Sequence, residues 1–239
     1  MRIAPLFVLL AACDGIPDEV TLQGTVFSDP GTTERLGGAT LTSHVLDGGE
    51  HASTTADDEG RFELLAPSNA TVFVDVEAQG HVRSSFTGVT GIDGAMIVPD
   101  GTMYAITEAT WDEWTSLFDG CPGVGEGGAS IGEVRISNLS DPSTGERPFV
   151  TTAVVTLEDS EGETYEACYL DEEGAAYDPE AEVTGASGRF AIFGAPPGEY
   201  LLVVAYETAE GVWSGDHYPV RITEGGVTPM FPLWTDFEL

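Results

Sequence analysis

Residues 57–80 read DDEGRFELLAPSNATVFVDVEAQG, and residues 185–211 read GASGRFAIFGAPPGEYLLVVAYETAEG. Each stretch sets Gly-Arg-Phe after a small or acidic run. A Pro-containing break follows, and then an alternating apolar segment that ends near Gly. Gly60 and Gly188 occupy the same place in the two copies. Glycine there supplies a tight reversal in a backbone conformation that a side chain resists. Arg61 is expected to point outward and Phe62 inward, as the first anchor of a strand. The Pro break then turns the chain, and a longer strand returns across the core. These features describe a β-hairpin written once per folding unit, so two copies predict two units.

The segments around the first copy carry the same period. In VTLQGTV (20–26), Val20, Leu22 and Val26 share one face while Thr21, Gln23 and Thr25 share the other. GGATLTSHVL (37–46) puts Ala39, Leu41 and Val45 inward and His44 outward. Phe62 and Leu64 form one face of GRFELL, and Val72, Val74 and Val76 oppose Phe73, Asp75 and Glu77. Period two in short runs, separated by turn clusters such as SDPGT, DGGE and APSN, predicts half-buried antiparallel strands. Several such strands fold most economically as an all-β sandwich. The second half repeats the signals in GEVRIS, TAVVTLED, GRFAIF, GEYLLVVAYE and HYPVRITEG, before the aromatic tail MFPLWTDFEL. GEYLLVVAYE is apolar on both faces, as expected for a central strand.

One helix interrupts the strands, in TEATWDEWTSLFDG (107–120). Thr110 and Glu113 have capping-box spacing, Trp111, Trp114, Leu117 and Phe118 share a face, and Gly120 can end the helix. An aromatic face of this kind is expected to dock on a sandwich. CPGVGEGG (121–128) reads as a flexible boundary.

Charge excludes several functions. The 239 residues carry 41 acids and 8 basic residues, all of them Arg, for a net charge of −33. Such a surface repels nucleic acid and anionic headgroups, which are bound through Lys and Arg. With no Lys, Schiff-base, phosphate-loop and Ser-x-x-Lys chemistry are excluded. The four histidines, His44, His51, His81 and His217, lack the spacing of a catalytic zinc site. Gly128-Ala129-Ser130-Ile131-Gly132 matches Gly-x-Ser-x-Gly, yet a Gly-rich loop precedes it and a strand follows, which is the wrong setting for a nucleophile elbow. His217 beside Asp216 reads as a surface-turn pair. The acidic runs ADDEG and DEEGAAYDPEAE lack the spacing of a calcium loop and read as solvated loops. No cofactor, no metal and no catalytic residue is expected.

The chain begins MRIAPLFVLLAACDG. A single Arg, a short apolar core and small residues lead to Cys13. Twelve helical residues reach about 18 Å, short of a ~30 Å hydrocarbon core, so this is a targeting segment rather than a span. Leu10-Ala11-Ala12-Cys13 resembles the lipobox of bacterial lipoproteins, in which the Cys is lipidated and becomes the new N-terminus. The resemblance implies export and attachment to a bacterial membrane through a lipid anchor at Cys13, with the choice of membrane open. In an oxidising compartment the remaining Cys121 and Cys168 make an even pair. A disulfide between them is expected, the alternative being two buried free thiols.

A second resemblance covers about 190 residues in two pieces. Gly24 and Val26, Leu36, Gly38 and Ala39, and Thr55, Gly60 and Phe62 follow the pattern of the carboxypeptidase regulatory-like domain, a transthyretin-like β-sandwich. In the second half Thr184, Gly188, Phe190, Pro197, Gly198 and Tyr200 match the same family. PSNATV in the first half departs from its Pro-Gly-x-Tyr, the second half lacks a clear Leu-x-Gly-Ala, and ETYEACYLDEEGAAYDPEAE reads as an insertion. The resemblance implies two tandem transthyretin-like or Ig-like sandwiches, each with its own core, joined by the short helix and Gly-rich linker. The expected divisions are a signal peptide at 1–12, a tether at 13–19, sandwiches at 20–100 and 128–239, and the helical linker at 101–127. Motifs of this family report turns and core positions rather than chemistry. The expectation is a non-enzymatic envelope protein acting as an interaction or scaffold module, with another envelope protein or a glycan as partner. The alternative is carbohydrate or peptide binding through exposed aromatics, with Trp213, Tyr218 and Trp234 as candidates.

Overall fold

The computed structural model describes residues 18–91, 96–97, 103–136, 148–207 and 211–235. The first half runs β1 (Glu19–Ser28), β2 (Thr40–Val45), β3 (Gly49–Thr55), β4 (Arg61–Pro67), β5 (Thr71–Glu77), β6 (His81–Val82), β7 (Ser84–Thr90), β8 (Met96–Ile97) and β9 (Met103–Thr107). Helix α1 (Glu108–Leu117) follows. The second half comprises β10 (Gly128–Ile136), β11 (Val154–Glu158), β12 (Thr164–Glu166), β13 (Cys168–Tyr169), β14 (Arg189–Ala195), β15 (Gly198–Glu207), β16 (Trp213–Ile222) and β17 (Val227–Thr235). Among the described residues the fold is all-β apart from α1.

Each half is a sandwich, and the two have matching topology. In the first, one sheet has the order β4-β1-β9-β6 and the other β7-β5-β2-β3, with β8 beside β7. In the second, β13-β14-β10-β17 faces β12-β11-β15-β16. β1 is antiparallel to β4 and parallel to β9. β10 stands in the same relation to β14 and β17. The Gly-Arg-Phe phrase therefore marks equivalent strands.

Its role differs from the hairpin expected above. β4 pairs with β1, whereas β5 pairs with β2 and β7. β14 pairs with β10 and β13, whereas β15 pairs with β11 and β16. The phrase is an arch that carries the chain from one sheet to the other. The physical reason lies at the break, where Pro67 and the pair Pro196-Pro197 supply no amide to a ladder. Asn69 helps the first turn with a left-handed φ of 51°. The apolar faces of the two flanking strands then meet across the core. Phe62, Leu64 and Ala66 on one side of the break are buried, as are Val72, Val74 and Val76 on the other.

The turn glycines are required. Gly60 has φ 73° and its carbonyl accepts the Val26 amide at 2.8 Å. Gly188 has φ 63° and its carbonyl accepts the Val134 amide at 2.9 Å. A Cβ would stand 2.8 Å from the Val26 carbonyl oxygen at Gly60 and 2.7 Å from that of Val134 at Gly188. A second glycine recurs opposite the phenylalanine, in the cross-strand pairs Gly24–Phe62 and Gly132–Phe190. Gly-x-Val is thus present in the second half as Gly132 and Val134. Hydrogen bonding also shifts one expected equivalence. The Ala56 amide bonds the Ala39 carbonyl at 2.8 Å and the Thr184 amide bonds that of Ala153 at 2.9 Å, so Thr184 corresponds to Ala56 and not to Thr55.

The halves are not separate bodies on a linker. β17 continues the β7-β5-β2-β3 sheet through the Val227–Ser84 pair, making one sheet that crosses both sandwiches. One apolar core consists only of second-half residues, including Val134, Leu157, Phe190 and Leu202. The other joins first-half residues to Ile131, Ala191 and Phe193 on the opposite face of β10 and β14. Helix α1 covers that face, with Trp111 and Phe118 packing on Phe193 and Trp114 on Phe231. It is a wedge between the sandwiches, and β9, inside the segment expected to be linker, is a strand of the first sandwich. The helix also starts earlier than the capping-box reading puts it. Thr107 is the N-cap and accepts the Thr110 amide at 3.2 Å. The Asp29 carboxylate accepts both the Thr107 amide, at 2.7 Å, and its hydroxyl, at 2.9 Å.

Cys121 and Cys168 form a disulfide with Cα atoms 6.2 Å apart and a sequence separation of 47. It ties the segment after α1 to β13, which the insertion adds beside β14. Closing a loop of this length stabilises by about 4 kcal/mol in the chain-entropy model. Tyr169 in β13 donates to the Val155 carbonyl and accepts the Val155 amide, and burial pushes its hydroxyl pKa up to about 12. β15 is central, as expected. Tyr200, Leu202, Val204 and Tyr206 are buried, while Leu201, Val203 and Ala205 are half-buried.

Gly60→Val and Gly188→Val are each expected to destabilise the protein by roughly 1–3 kcal/mol, from a strained φ combined with a carbonyl clash. Denaturant midpoints measured with the disulfide intact check this. Two unshifted midpoints would remove the turns from the account of the fold.

Candidate functional site

Two polar clusters stand out among the described residues. The first lies where β1 ends and β6 runs beside β9. Ser28 Oγ lies 3.1 Å from His81 Nε2, and His81 Nδ1 lies 3.0 Å from the Gln79 carbonyl. With the proton on Nδ1, the ring donates to Gln79 and accepts from Ser28, which is the geometry of an activated hydroxyl. His81 also lines an open groove of about 420 Å³, with Glu77, Ala78, Arg83 and Glu224. Within that groove Arg83 is ion-paired with Glu77.

Acyl transfer needs more than this dyad. Ser28 is only 7% exposed. The nearby amides that would stabilise an oxyanion are engaged, that of Ser28 by the Glu34 carbonyl, that of Asp29 by the Ala105 carbonyl and that of Thr107 by the Asp29 carboxylate. Those three amides are therefore not free to act as oxyanion donors, the role that carries the largest catalytic contribution in acyl transfer. The Ser28–His81 bond instead ties the end of β1 to β6 at the N-terminus of α1.

The second cluster lies between the sandwiches. Asp75 projects from β5 on the face opposite Val72, Val74 and Val76, and is 4% exposed. Its Oδ2 lies 3.0 Å from His44 Nε2 and 3.5 Å from Arg221 Nε. Arg221 comes from β16 of the second sandwich, and its Nη1 is 3.8 Å from Glu199 Oε1 on β15. Glu199 Oε2 in turn accepts the Asp47 amide at 2.8 Å. His44, outward with respect to the first core as expected, is only 8% exposed because the second sandwich lies beyond it. Phe73, on the same outward face, is fully buried. The sequence shows these residues as the polar side of an amphipathic sheet, and nothing in the pattern says that the side is covered.

Of the expected site residues, Cys121 and Cys168 are joined as a disulfide. Cys13, with the whole lipobox, lies outside the described residues. Trp213 is 58% exposed at the start of β16, beside Val212 at 60%. Tyr218 is five residues further along the same strand and therefore on its other face, packed against the second core. Trp234 belongs to β17 in the opposite sheet, with its backbone opposite Arg135. Trp213 and Tyr218 thus lie on opposite faces of β16. Ser130 is fully buried inside β10, with no elbow. Asp216 and His217 sit within β16 rather than at a turn, and Asp216 accepts a hydrogen bond from Tyr206 at 3.3 Å.

The acidic runs are structured by their own backbone. Asp57 Oδ1 accepts the Glu59 and Arg61 amides, and Asp171 Oδ1 accepts the Ala175 amide. Among the described residues no group of three or more His, Cys, Asp or Glu side chains is placed to hold a metal ion. No described helix is long and apolar enough to cross a membrane.

No protein-family model matches the chain, and no characterised protein matches it in sequence. Among solved structures it is similar to the Bacillus anthracis TIE protein, at 14% identity and a TM-score of 0.29 over 90% of this chain and 33% of that one. It spans about a third of that protein's length. It is also similar to the shaft pilin spaA of Lactobacillus rhamnosus GG, at 11% identity and a TM-score of 0.26 over 92% and 99% of the two chains. The minor pilin GBS52 of Streptococcus agalactiae gives 12% identity and a TM-score of 0.29 over 89% and 94%. At TM-scores this low, none of the three assigns a family or a function.

A fluorophosphonate probe, which reports activated serine nucleophiles, is expected to leave the protein unlabelled. Labelling that Ser28→Ala or His81→Ala abolishes would make the first cluster a catalytic centre.

Proposed function

We propose that the chain is a non-catalytic, lipid-anchored protein of a bacterial cell envelope, acting as an interaction or scaffold module. The observation that carries the reading is Leu10-Ala11-Ala12-Cys13 standing at the head of a disulfide-bonded β-structure. The anchor would be an acyl group on Cys13, and the oxidising compartment beyond the membrane is where a disulfide such as Cys121–Cys168 persists. A net charge of −33 favours contact with neutral or cationic surfaces and disfavours nucleic acid. The burial of Ser28 and the engagement of the Ser28, Asp29 and Thr107 amides support a role for the outer surfaces of the sandwiches in contacting a partner. Radiolabelled palmitate is expected to be incorporated by the full-length chain and lost in Cys13→Ser. An unlabelled wild-type chain would refute the anchor.

A second reading, carbohydrate or peptide binding, is favoured by the exposed Val212 and Trp213 alone. Aromatic faces of this kind stack on sugars or pack on apolar side chains. Isothermal titration against glycan and peptide panels is expected to give no heat beyond dilution. A saturable response lost in Trp213→Ala would favour this reading over the scaffold.

A further inference from the structure

We propose that Arg221, Asp75, His44 and Glu199 form an orientation lock that holds the two sandwiches at one fixed angle, so that the protein is a rigid two-module unit. The inference does not depend on where the protein resides.

Besides the shared apolar core and the α1 wedge, which are not directional, the junction has two polar points of attachment. At the first, an edge joins an edge. The Val227 amide bonds the Arg83 carbonyl at 2.8 Å and Val227 pairs with Ser84, so the second sandwich adds β17 to the sheet of the first. One hydrogen-bonded edge alone leaves the modules free to swing about the strand. Gly226 makes the approach possible, since a Cβ there would lie 3.0 Å from the Arg83 carbonyl oxygen and also strike the Thr223 hydroxyl. At the second point an edge strand clasps a sheet face, for β16 crosses over β7 and β5 and delivers Arg221 to Asp75.

Chemistry makes the second attachment selective for angle. Asp75 is buried, and taking a carboxylate out of water is costly unless a cation and hydrogen bonds replace the water. Arg221 meets Asp75 only in this register of β16 on β5, and a slide of β16 by a few ångströms along that face would part the charges while the carboxylate stays covered. Charges of this kind add little net stability compared with an apolar pair, while removing one partner costs much. Their contribution is to penalise other arrangements. Glu199 extends the lock to the β2–β3 turn through the Asp47 amide, so three elements of the first sandwich and two of the second answer to one guanidinium.

Hydrogen exchange of the full-length chain, read at single amides, tests the lock. In Arg221→Gln, the Asp47 and Val227 amides are expected to exchange about tenfold faster or more, while core amides such as those of Val74 and Leu202 keep their rates. Arg221→Lys is expected to recover part of the protection. Glu199→Ala, which removes the acceptor for the Asp47 amide and leaves the buried Arg221–Asp75 pair intact, is expected to speed Asp47 alone, and it keeps the proposal testable if Arg221→Gln fails to fold. Unchanged rates at both junction amides in Arg221→Gln, or a uniform rise that includes both cores, would overturn the lock. With Glu199→Ala, an unchanged rate at Asp47 would do the same.

Discussion

Two hydrogen bonds, from Val26 to the Gly60 carbonyl and from Val134 to the Gly188 carbonyl, fix the rest of the structure. Each is made by a glycine in a left-handed conformation packed so closely on the neighbouring strand that a side chain has no room. The bond sets the register of β4 on β1 and of β14 on β10. Register decides which side chains face inward, because a shift of one residue would turn every apolar side chain outward. The Phe62 ring then covers Gly24, Phe190 stands opposite Gly132 in its ladder, and the Pro break carries the chain to the opposite sheet. One local constraint, used twice, produces both sandwiches.

Much of this was legible in the chain. Alternation placed Val20, Leu22, Phe62, Leu64, Val72, Val74 and Val76 in the core, and all are buried. The aromatic face of α1 and the Cys121–Cys168 pair were also readable. What the alternation could not convey is partnership. A strand's own period says that a face is covered and not by what, so a sheet-crossing arch and a hairpin look alike. Thr110 and Glu113 have the better capping-box spacing, yet Thr107 is the N-cap. The deciding contact, the Asp29 carboxylate on Thr107, is remote in sequence. Polar residues on the outward face of β5 read as solvent-exposed, yet Asp75 is buried because β16 lies over it. The Ser28–His81 pair was missed for the same reason, being separated by 53 positions.

Charge gives the junction its character. In a chain with 41 acids and 8 arginines, most carboxylates have no cation available. Those in loops turn inward on their own amides, as Asp57, Asp159 and Asp171 do. Cations are placed where geometry needs them. Arg135 pairs with Glu133 and lies over the Phe149 ring at 4.1 Å. Arg221 stands between the sandwiches with Asp75 and Glu199.

Cross-strand nuclear Overhauser contacts in the folded chain test the arch most directly, because each ladder leaves its own set of close backbone protons. The account predicts contacts of Leu64 with Leu22, of Val74 with Ser43 and Phe86, and of Leu202 with Leu157 and Tyr218. A continuous ladder between residues 61–67 and 71–77, or between 189–195 and 198–207, would make the repeated phrase a hairpin after all and would contradict the account.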